Sequence, residues 1–242
     1  MLIIIALGII QLTITKLNYK ELENCSNNNP CDSLPGIVKT SVVMPAYNEA
    51  SRISKVIRAT TPYVDEILVI DDGSNDNTID IATREGATVI RQNHMGYISA
   101  LKRGFQESSN EIIITIDADG EHRASDIPNL VAPILSGNAD LVIGIRNKIP
   151  RISERLITKL TGLKLKTGDA CTGFRAIKKS LAMQLKLSGK CTCGIFTLEA
   201  NSLGAKIMDI PVTVSNIDKP RSTAWHHFTQ VFYIIAWLLK KG

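Results

Sequence analysis

The sequence predicts an α/β protein, a mostly parallel sheet flanked by helices, with short apolar segments at its two ends. Three observations lead there. From residue 37 onward, short β-branched runs alternate with stretches of helical spacing, and strands separated by single helices build βαβ units and parallel sheets. The run Glu111-Ile112-Ile113-Ile114-Thr115-Ile116 is apolar on both alternating faces, as a strand covered on both sides must be. Polar clusters recur where the strands end, at Asn48-Glu49, Asp71-Asp72, Asp117 to Asp119 and Arg146. Open α/β sheets bind their ligands beyond that edge.

Taken in order, residues 1–36 are an apolar segment followed by a polar linker, 37–218 form the main domain, and 219–242 form an amphipathic carboxyl-terminal helix. Met1 to Ile10 carries no charged side chain, and the apolar character runs to Thr15. That is shorter than the roughly 20 residues a spanning helix needs. Three readings compete: a short membrane anchor, a buried first element, or an extension packed on nothing. The anchor is favoured, and Lys16 and Lys20 on its carboxyl side would leave the main domain cytoplasmic. Within the domain, Val38 to Met44 reads as a strand and Ala50 to Thr60 as a helix with Ile53, Val56 and Ile57 on one face. Glu66 to Ile70 is the next strand, and Asp76-Asn77-Thr78 caps a helix running to about Glu85. Thr88 to Arg91 is a short strand, and Tyr97 to Glu107 a helix opened by Gly96, which is expected to allow close approach of helix and strand. After the central strand come a helix from Ser125 to about Leu135 and a strand from Ala139 to Ile145.

Composition narrows the class. The chain has 242 residues, 44% hydrophobic and 21% charged, enough for a large core and unlike a disordered chain. A net charge of +5 favours anionic partners such as phosphates or lipid headgroups. No basic patch is interleaved with aromatics, so nucleic acid is not an expected partner. Of five cysteines, Cys25 and Cys31 lie in the linker, while Cys171, Cys191 and Cys193 come later in spacings that match no zinc pattern. Cys191-x-Cys193 therefore reads as two packing or loop thiols, and the odd count fits a reducing compartment.

Asp117-Ala118-Asp119-Gly120-Glu121-His122 follows the central strand. Asp-x-Asp sets two carboxylates on the same side of an extended chain, and Glu121 continues the alternation. Three hard oxygen donors at a strand's carboxyl end suit Mg²⁺ or Mn²⁺. No Gly-x-Gly-x-x-Gly, Gly-x-x-x-x-Gly-Lys or Gly-x-Ser-x-Gly occurs, so dinucleotide, P-loop and serine-elbow chemistries lack their motifs. Phosphate charge would fall to a metal and to Arg or Lys.

The motifs Val42-Val43-Met44-Pro45-Ala46-Tyr47-Asn48-Glu49, Ile67 to Thr78 and Asp117-Ala118-Asp119 resemble those of family-2 inverting glycosyltransferases of the GT-A, Rossmann-like fold. Val142-Ile143-Gly144-Ile145-Arg146 and Asp169 to Ala176 resemble the dolichyl-phosphate mannose or glucose synthase branch more narrowly. The resemblance covers roughly Lys39 to Pro211. It implies a GDP- or UDP-hexose donor, a polyprenyl phosphate acceptor and transfer with inversion. By resemblance Pro45, Tyr47, Glu49, Ile70 and Asp72 line the base and ribose pocket, and Asp117, Ala118 and Asp119 meet the diphosphate and metal. Arg146 lies on the donor side, with Asp119 and Arg146 the expected catalytic pair. Glu121 stands where relatives often carry Gln, and joins Asp117 and Asp119 as an expected metal ligand. Arg175, Lys219 and Arg221 are the acceptor-phosphate candidates, although Lys219-Pro220-Arg221-Ser222 departs from the family's basic segment. Arg175 with Asp169 is equally readable as an ion pair holding a loop.

A phosphate acceptor is already ionised near neutral pH, whereas a sugar hydroxyl needs a general base. Hydroxyl-using relatives often carry Glu-Asp where this chain has Glu199-Ala200, which favours the phosphate. Transfer to a saccharide hydroxyl, and nucleotide-sugar binding without turnover, are the rivals. The apolar residues from Trp225 to Leu239, closed by Lys240-Lys241, suit a helix lying at a membrane surface, the rival being a helix packed back on the domain or pairing two chains.

Overall fold

The computed structural model describes residues 39–189, 191–215 and 223–240. The apolar segment, the linker with Cys25 and Cys31, and Lys219 and Arg221 lie outside the described residues.

Strands β1 (Thr40–Ala46), β2 (Glu66–Asp71), β3 (Thr88–Arg91), β4 (Ile112–Thr115), β5 (Leu141–Arg146), β6 (Arg175–Lys178) and β7 (Ile207–Val212) form one sheet. Their order is β3-β2-β1-β4-β6-β5-β7. Every described pairing is parallel except those of β6, which runs antiparallel to both β4 and β5. The expected mostly parallel sheet is therefore present. The reversed strand was not expected, because nothing in Arg175-Ala176-Ile177-Lys178 encodes direction. Pro211 lies in β7, an edge strand, where a missing N–H costs no ladder bond on the solvent side.

Helices α1 (Ile53–Thr60), α2 (Thr78–Arg84) and α4 (Ile127–Leu135) cover one face, and α3 (Tyr97–Glu107), α6 (Lys179–Ala182) and α7 (Ile195–Ser202) the other. The central strand shows why. Ile112 and Ile114 enter the first core with Ile53, Ile57, Ile127 and Leu130, while Ile113 enters the second with Leu101, Phe105 and Phe196. Each such fully buried side chain contributes roughly 1.5–3 kcal/mol. Ile53, Val56 and Ile57 share the buried face of α1, as the spacing predicts.

Within the expected Asp76-Asn77-Thr78 cap of α2, Asp76 supplies the side chain, its Oδ1 accepting the Thr78 N–H at 3.0 Å, while Asn77 makes no side-chain cap bond. One local expectation needs correction. Gly96 is not a close-approach glycine, since a Cβ there would meet nothing within 4 Å, and its φ of +89° is the reason for glycine. The close approach comes two turns later, at Gly104, where a Cβ would lie 2.2 Å from Val43 Cγ1.

Helices α5 (Ile152–Thr161) and α8 (Thr223–Lys240) pack together. They share a third apolar cluster with Ile157, Leu160, Cys193, Leu198, Val231, Ile234 and Trp237. On α8, His227, Gln230 and Ile234 are buried, whereas Phe228, Phe232, Tyr233, Ile235 and Leu239 are exposed. The helix thus packs back on the domain with one face and leaves a second apolar face uncovered. Among the described residues, no helix is long and apolar enough to cross a membrane.

Candidate active site

The carboxyl ends of β1, β2 and β4 converge, and the loops leaving β1 and β2 are fastened to each other. Asn48 adopts a left-handed backbone, φ +54°, tolerated by Asn because its short side chain bonds locally. Its N–H donates to Ser74 Oγ at 2.9 Å, and its Oδ1 accepts the Asn75 N–H at 2.9 Å. Glu49 N–H reaches Thr78 Oγ1 at 2.9 Å. Asp71 is fully buried and accepts the Gly73 and Ser74 N–H groups, both at 3.1 Å, so it builds the turn. Asp72 is committed elsewhere. Its carboxylate accepts Gln92 Nε2 at 2.6 Å and the N–H groups of Met95 and Gly96 at 2.8 and 2.9 Å. That arrangement draws the 92–96 loop over β2 and sets the ring of His94 against Tyr47, centroids 4.4 Å apart. Of the residues expected to line a base and ribose pocket, Tyr47 is exposed and Glu49 half-buried. Pro45 and Ile70 are register partners inside the sheet, and Ile70, fully buried in the core, has no side-chain surface for a ligand.

Asp117 and Asp119 follow β4 on a half-buried turn, with the buried Ala118 between them. Tyr97, at the start of α3, donates its hydroxyl to Asp117 Oδ1 at 3.0 Å; burial, then the Asp117 charge, pushes the phenol well above its ordinary pKa. Gly173 lies against the other side. A Cβ there would sit 2.3 Å from Asp117 Oδ2, so only glycine leaves room for that carboxylate. Thr115 Oγ1 donates to the Gly173 carbonyl at 2.7 Å and locks the two segments. Asp119 Oδ1 accepts the Glu121 N–H at 2.9 Å. Across the edge, burial raises the pKa of Glu49, Arg52 at 2.9 Å opposes that rise, and the charges of Asp119 and Asp117 add to it. Three carboxylates therefore share one field. Asp117 and Asp119 have the donor chemistry for a hard divalent cation, which would relieve that crowding.

Glu121 does not join them as a third converging donor. Among the described residues, the only group of three or more metal-type side chains whose ligand atoms lie within 4.8 Å of one another is Cys191, Cys193 and His227. Glu121 is buried and faces Arg146, with Oε1 3.4 Å from Nη1. Arg146 is a hub rather than an exposed donor contact. Its Nε meets Asp169 Oδ2 at 2.6 Å and its Nη2 meets Glu154 Oε2 at 3.0 Å. Burial works against the charge, but Asp169, Glu154 and Glu121 outweigh it and hold the guanidinium pKa above its ordinary value. Asp169 thus pairs with Arg146, not with Arg175. Arg175 is 1% exposed, lies 4.4 Å over the Phe196 ring, and leaves its Nη1 without a hydrogen-bond partner. So deep a guanidinium offers no surface to an acceptor phosphate. Glu199, the position where a general base was sought, accepts the N–H groups of Lys186 and Leu187 at 2.7 and 2.8 Å and fastens a turn.

Tyr97, His94 and Gly173 carry no direct site signal in the sequence. Tyr97 is there only the first residue of a helix, and its bond to Asp117 is a contact across 20 residues. Gly173 falls within the resembling Asp169–Ala176 segment, which was its only signal.

Comparison with known proteins gives the family and the fold. A profile of glycosyl transferase family 2 matches residues 41–186. An uncharacterized protein of Methanocaldococcus jannaschii is 31% identical over 71% of this chain and 79% of its own length. The undecaprenyl-phosphate 4-deoxy-4-formamido-L-arabinose transferase of an Enterobacter species is 30% identical over 73% of this chain and 59% of its own length. An uncharacterized glycosyltransferase of Mycobacterium bovis is 39% identical over 45% of this chain, which spans about half, 49%, of that relative. Among solved structures, glucosyl-3-phosphoglycerate synthase of Mycobacterium tuberculosis, in complex with Mn²⁺, UDP and glucosyl-3-phosphoglycerate, superposes with a TM-score of 0.72 at 23% identity. That match covers 86% of this chain and 84% of the synthase, and it is a likeness of fold.

Proposed function

Because the chain belongs to glycosyl transferase family 2, we propose that it transfers a hexose, mannose or glucose, from a GDP- or UDP-sugar to a polyprenyl phosphate of the dolichyl type, with inversion. The observation that carries this reading is that Glu49, just past β1, and Asp117 and Asp119, just past the neighbouring parallel β4, stand at one edge of the sheet, where Tyr47 is exposed. In this reading Tyr47 and His94 flank the base and Glu49 faces the ribose. Asp117 and Asp119 would hold Mg²⁺ or Mn²⁺, and Tyr97 and Gly173 fix where Asp117 points. The ion, when bound, would neutralise the charge that grows on the departing nucleoside diphosphate. An acceptor phosphate oxygen forms the new bond to the anomeric carbon from the opposite face. The sugar–phosphate bond breaks, and its electron pair leaves with the diphosphate. Arg146, buried beneath the edge, acts as a positioning residue through Glu121 and Asp169.

Two features support a lipid-linked phosphate acceptor. One relative is named for undecaprenyl phosphate, and the Glu199 carboxylate is taken up by backbone N–H groups and is poorly placed to act as a base for a hydroxyl. The uncovered face of α8, with Phe228, Phe232 and Leu239, would rest on the membrane surface beside such a substrate. The domain would then lie on the cytoplasmic side, as Lys16 and Lys20 suggest.

The test incubates the protein with labelled GDP- and UDP-hexoses, polyprenyl phosphate in liposomes, and Mg²⁺ or Mn²⁺, followed by lipid extraction. A glycolipid of inverted configuration is expected. Asp119→Ala should lose at least about 10²-fold in rate while keeping its unfolding transition. Full activity in that variant would remove the metal role, and donor binding without any product would favour a binding protein.

A further inference from the structure

The third apolar cluster contains polar chemistry that transfer does not use. Cys191 and Cys193, in the loop before α7, and His227 on α8 bring their ligand atoms within 4.8 Å of one another. Cys193 Sγ lies 3.6 Å from His227 Nε2. Two ligands of a tetrahedral zinc ion, with Zn–S of about 2.3 Å and Zn–N of about 2.0–2.1 Å, are separated by about 3.6 Å. Cys171, half-buried in the segment before β6, packs against the same cluster, its thiol donating to the Glu154 carbonyl at 3.7 Å. All three cysteines are free thiols.

The surroundings fit a ligand set better than a packing cluster. His227 Nδ1 lies 2.9 Å from Ser153 Oγ on α5, a partner that fixes the ring and directs Nε2 toward the sulfurs. Metal-bound histidines are held in this way by their second nitrogen. Gln230, one turn along α8, accepts the Cys191 N–H at 3.3 Å and donates to the Cys193 carbonyl at 3.4 Å, clamping the loop to the helix. Cys193 and His227 are buried, as in a closed structural site with no open coordination position. Soft thiolates with one imidazole select zinc over the hard ions suited to Asp117 and Asp119.

The geometry points to a structural zinc site built on Cys191, Cys193 and His227, with Cys171 of the same cluster turning from the Glu154 carbonyl to complete a Cys₃His set, which ties α8 to the catalytic domain. Binding releases the thiol protons to solvent and forms three Zn–S bonds and one Zn–N bond, with no change of oxidation state. The site joins segments 56 residues apart, Cys171 to His227. That separation is why no zinc spacing is legible in the chain.

The test is elemental analysis of the full-length protein, purified under reducing conditions and dialysed with equimolar zinc. About one tightly held zinc per chain is expected. It should persist in Asp119→Ala and in the Cys25→Ser, Cys31→Ser double variant, and fall to near zero in His227→Phe. His227→Cys should restore it, which separates loss of a ligand from loss of folding. Cobalt substitution should give the intense d–d and sulfur charge-transfer bands of a tetrahedral thiolate site. Zinc near zero in the folded wild type, a disulfide found among Cys171, Cys191 and Cys193 by mass, or full zinc retention in His227→Phe would each overturn the assignment.

Discussion

A methyl group at position 173 would lie 2.3 Å from Asp117 Oδ2, and the carboxylate, held from the other side by Tyr97, can escape only by turning away from the edge. Gly173→Ala is therefore expected to cost about 10²-fold in kcat/KM, the scale of a misplacement of roughly 1 Å, and to raise the metal concentration needed for half-maximal rate. Overpacking of this kind destabilises by about 1–3 kcal/mol, so the unfolding midpoint should fall modestly. Manganese titration of transfer alongside thermal unfolding measures both. An unchanged metal dependence would mean that Asp117 is not set by this contact. Single residues also mark where reading the sequence succeeds and stops. Asp117 and Asp119 are legible because acidic residues just past an apolar strand fall at the ligand-binding edge of the sheet, although they stand on a turn, where the strand's period of two no longer holds. Glu121 keeps the same spacing in the sequence, yet the buried Arg146 captures it, and Arg146 in turn is shared with Glu154 and Asp169 from outside its strand. Periodicity places a side chain on a face but does not say which distant charge will claim it.

Elements behave likewise. The strands β1 to β5 and helices α1 to α4 were legible, because each is a short apolar run of clear period bounded by turn residues. The stretch from residue 147 to 215 carries motifs more clearly than it carries periods. There the turns are tight and β6 reverses direction, a choice made by what it pairs with, β4 on one side and β5 on the other. One junction between elements yields a pH prediction. Glu85, after α2, is held down to about 2 by hydrogen bonds from Arg58 and Ser54 on α1. Its ordinary value is 4.5. A carboxyl whose folded pKa is depressed adds stability that is fully present above the unfolded value and is lost as pH falls through the folded one. The advantage of the wild type over Glu85→Gln in unfolding temperature should therefore be constant above about pH 5 and shrink between pH 4.5 and about 2. A melting series over that range decides it, and a gap that does not change with pH would show that the junction contributes nothing through its charge.

At the scale of the whole molecule, α8 joins two surfaces that the sequence presented as alternatives. Its docked face uses Ile234 and Trp237, and its free face uses Phe228, Phe232 and Leu239. Trp237 is thus a poor probe of membrane contact, despite its interfacial character in the sequence, because it packs into the apolar cluster shared with α5. Phe232→Glu is the sharper test. Flotation with anionic liposomes should drop several-fold while the unfolding transition stays put, since the side chain is 60% exposed. Unchanged flotation would remove this helix as the lipid-facing surface.

The strand β7, with its Pro211 and Asp209, has a consequence for anyone trimming the gene. The recognisable family stretch closes at residue 186, before β7 begins at Ile207. A fragment cut there would uncover the flank of β5, whose Leu141-Val142-Ile143-Gly144-Ile145 has no proline or acid to repel a neighbour. Such a fragment should self-associate during expression, as light scattering or gel filtration would reveal. The matched segment stops short of the sheet's last strand.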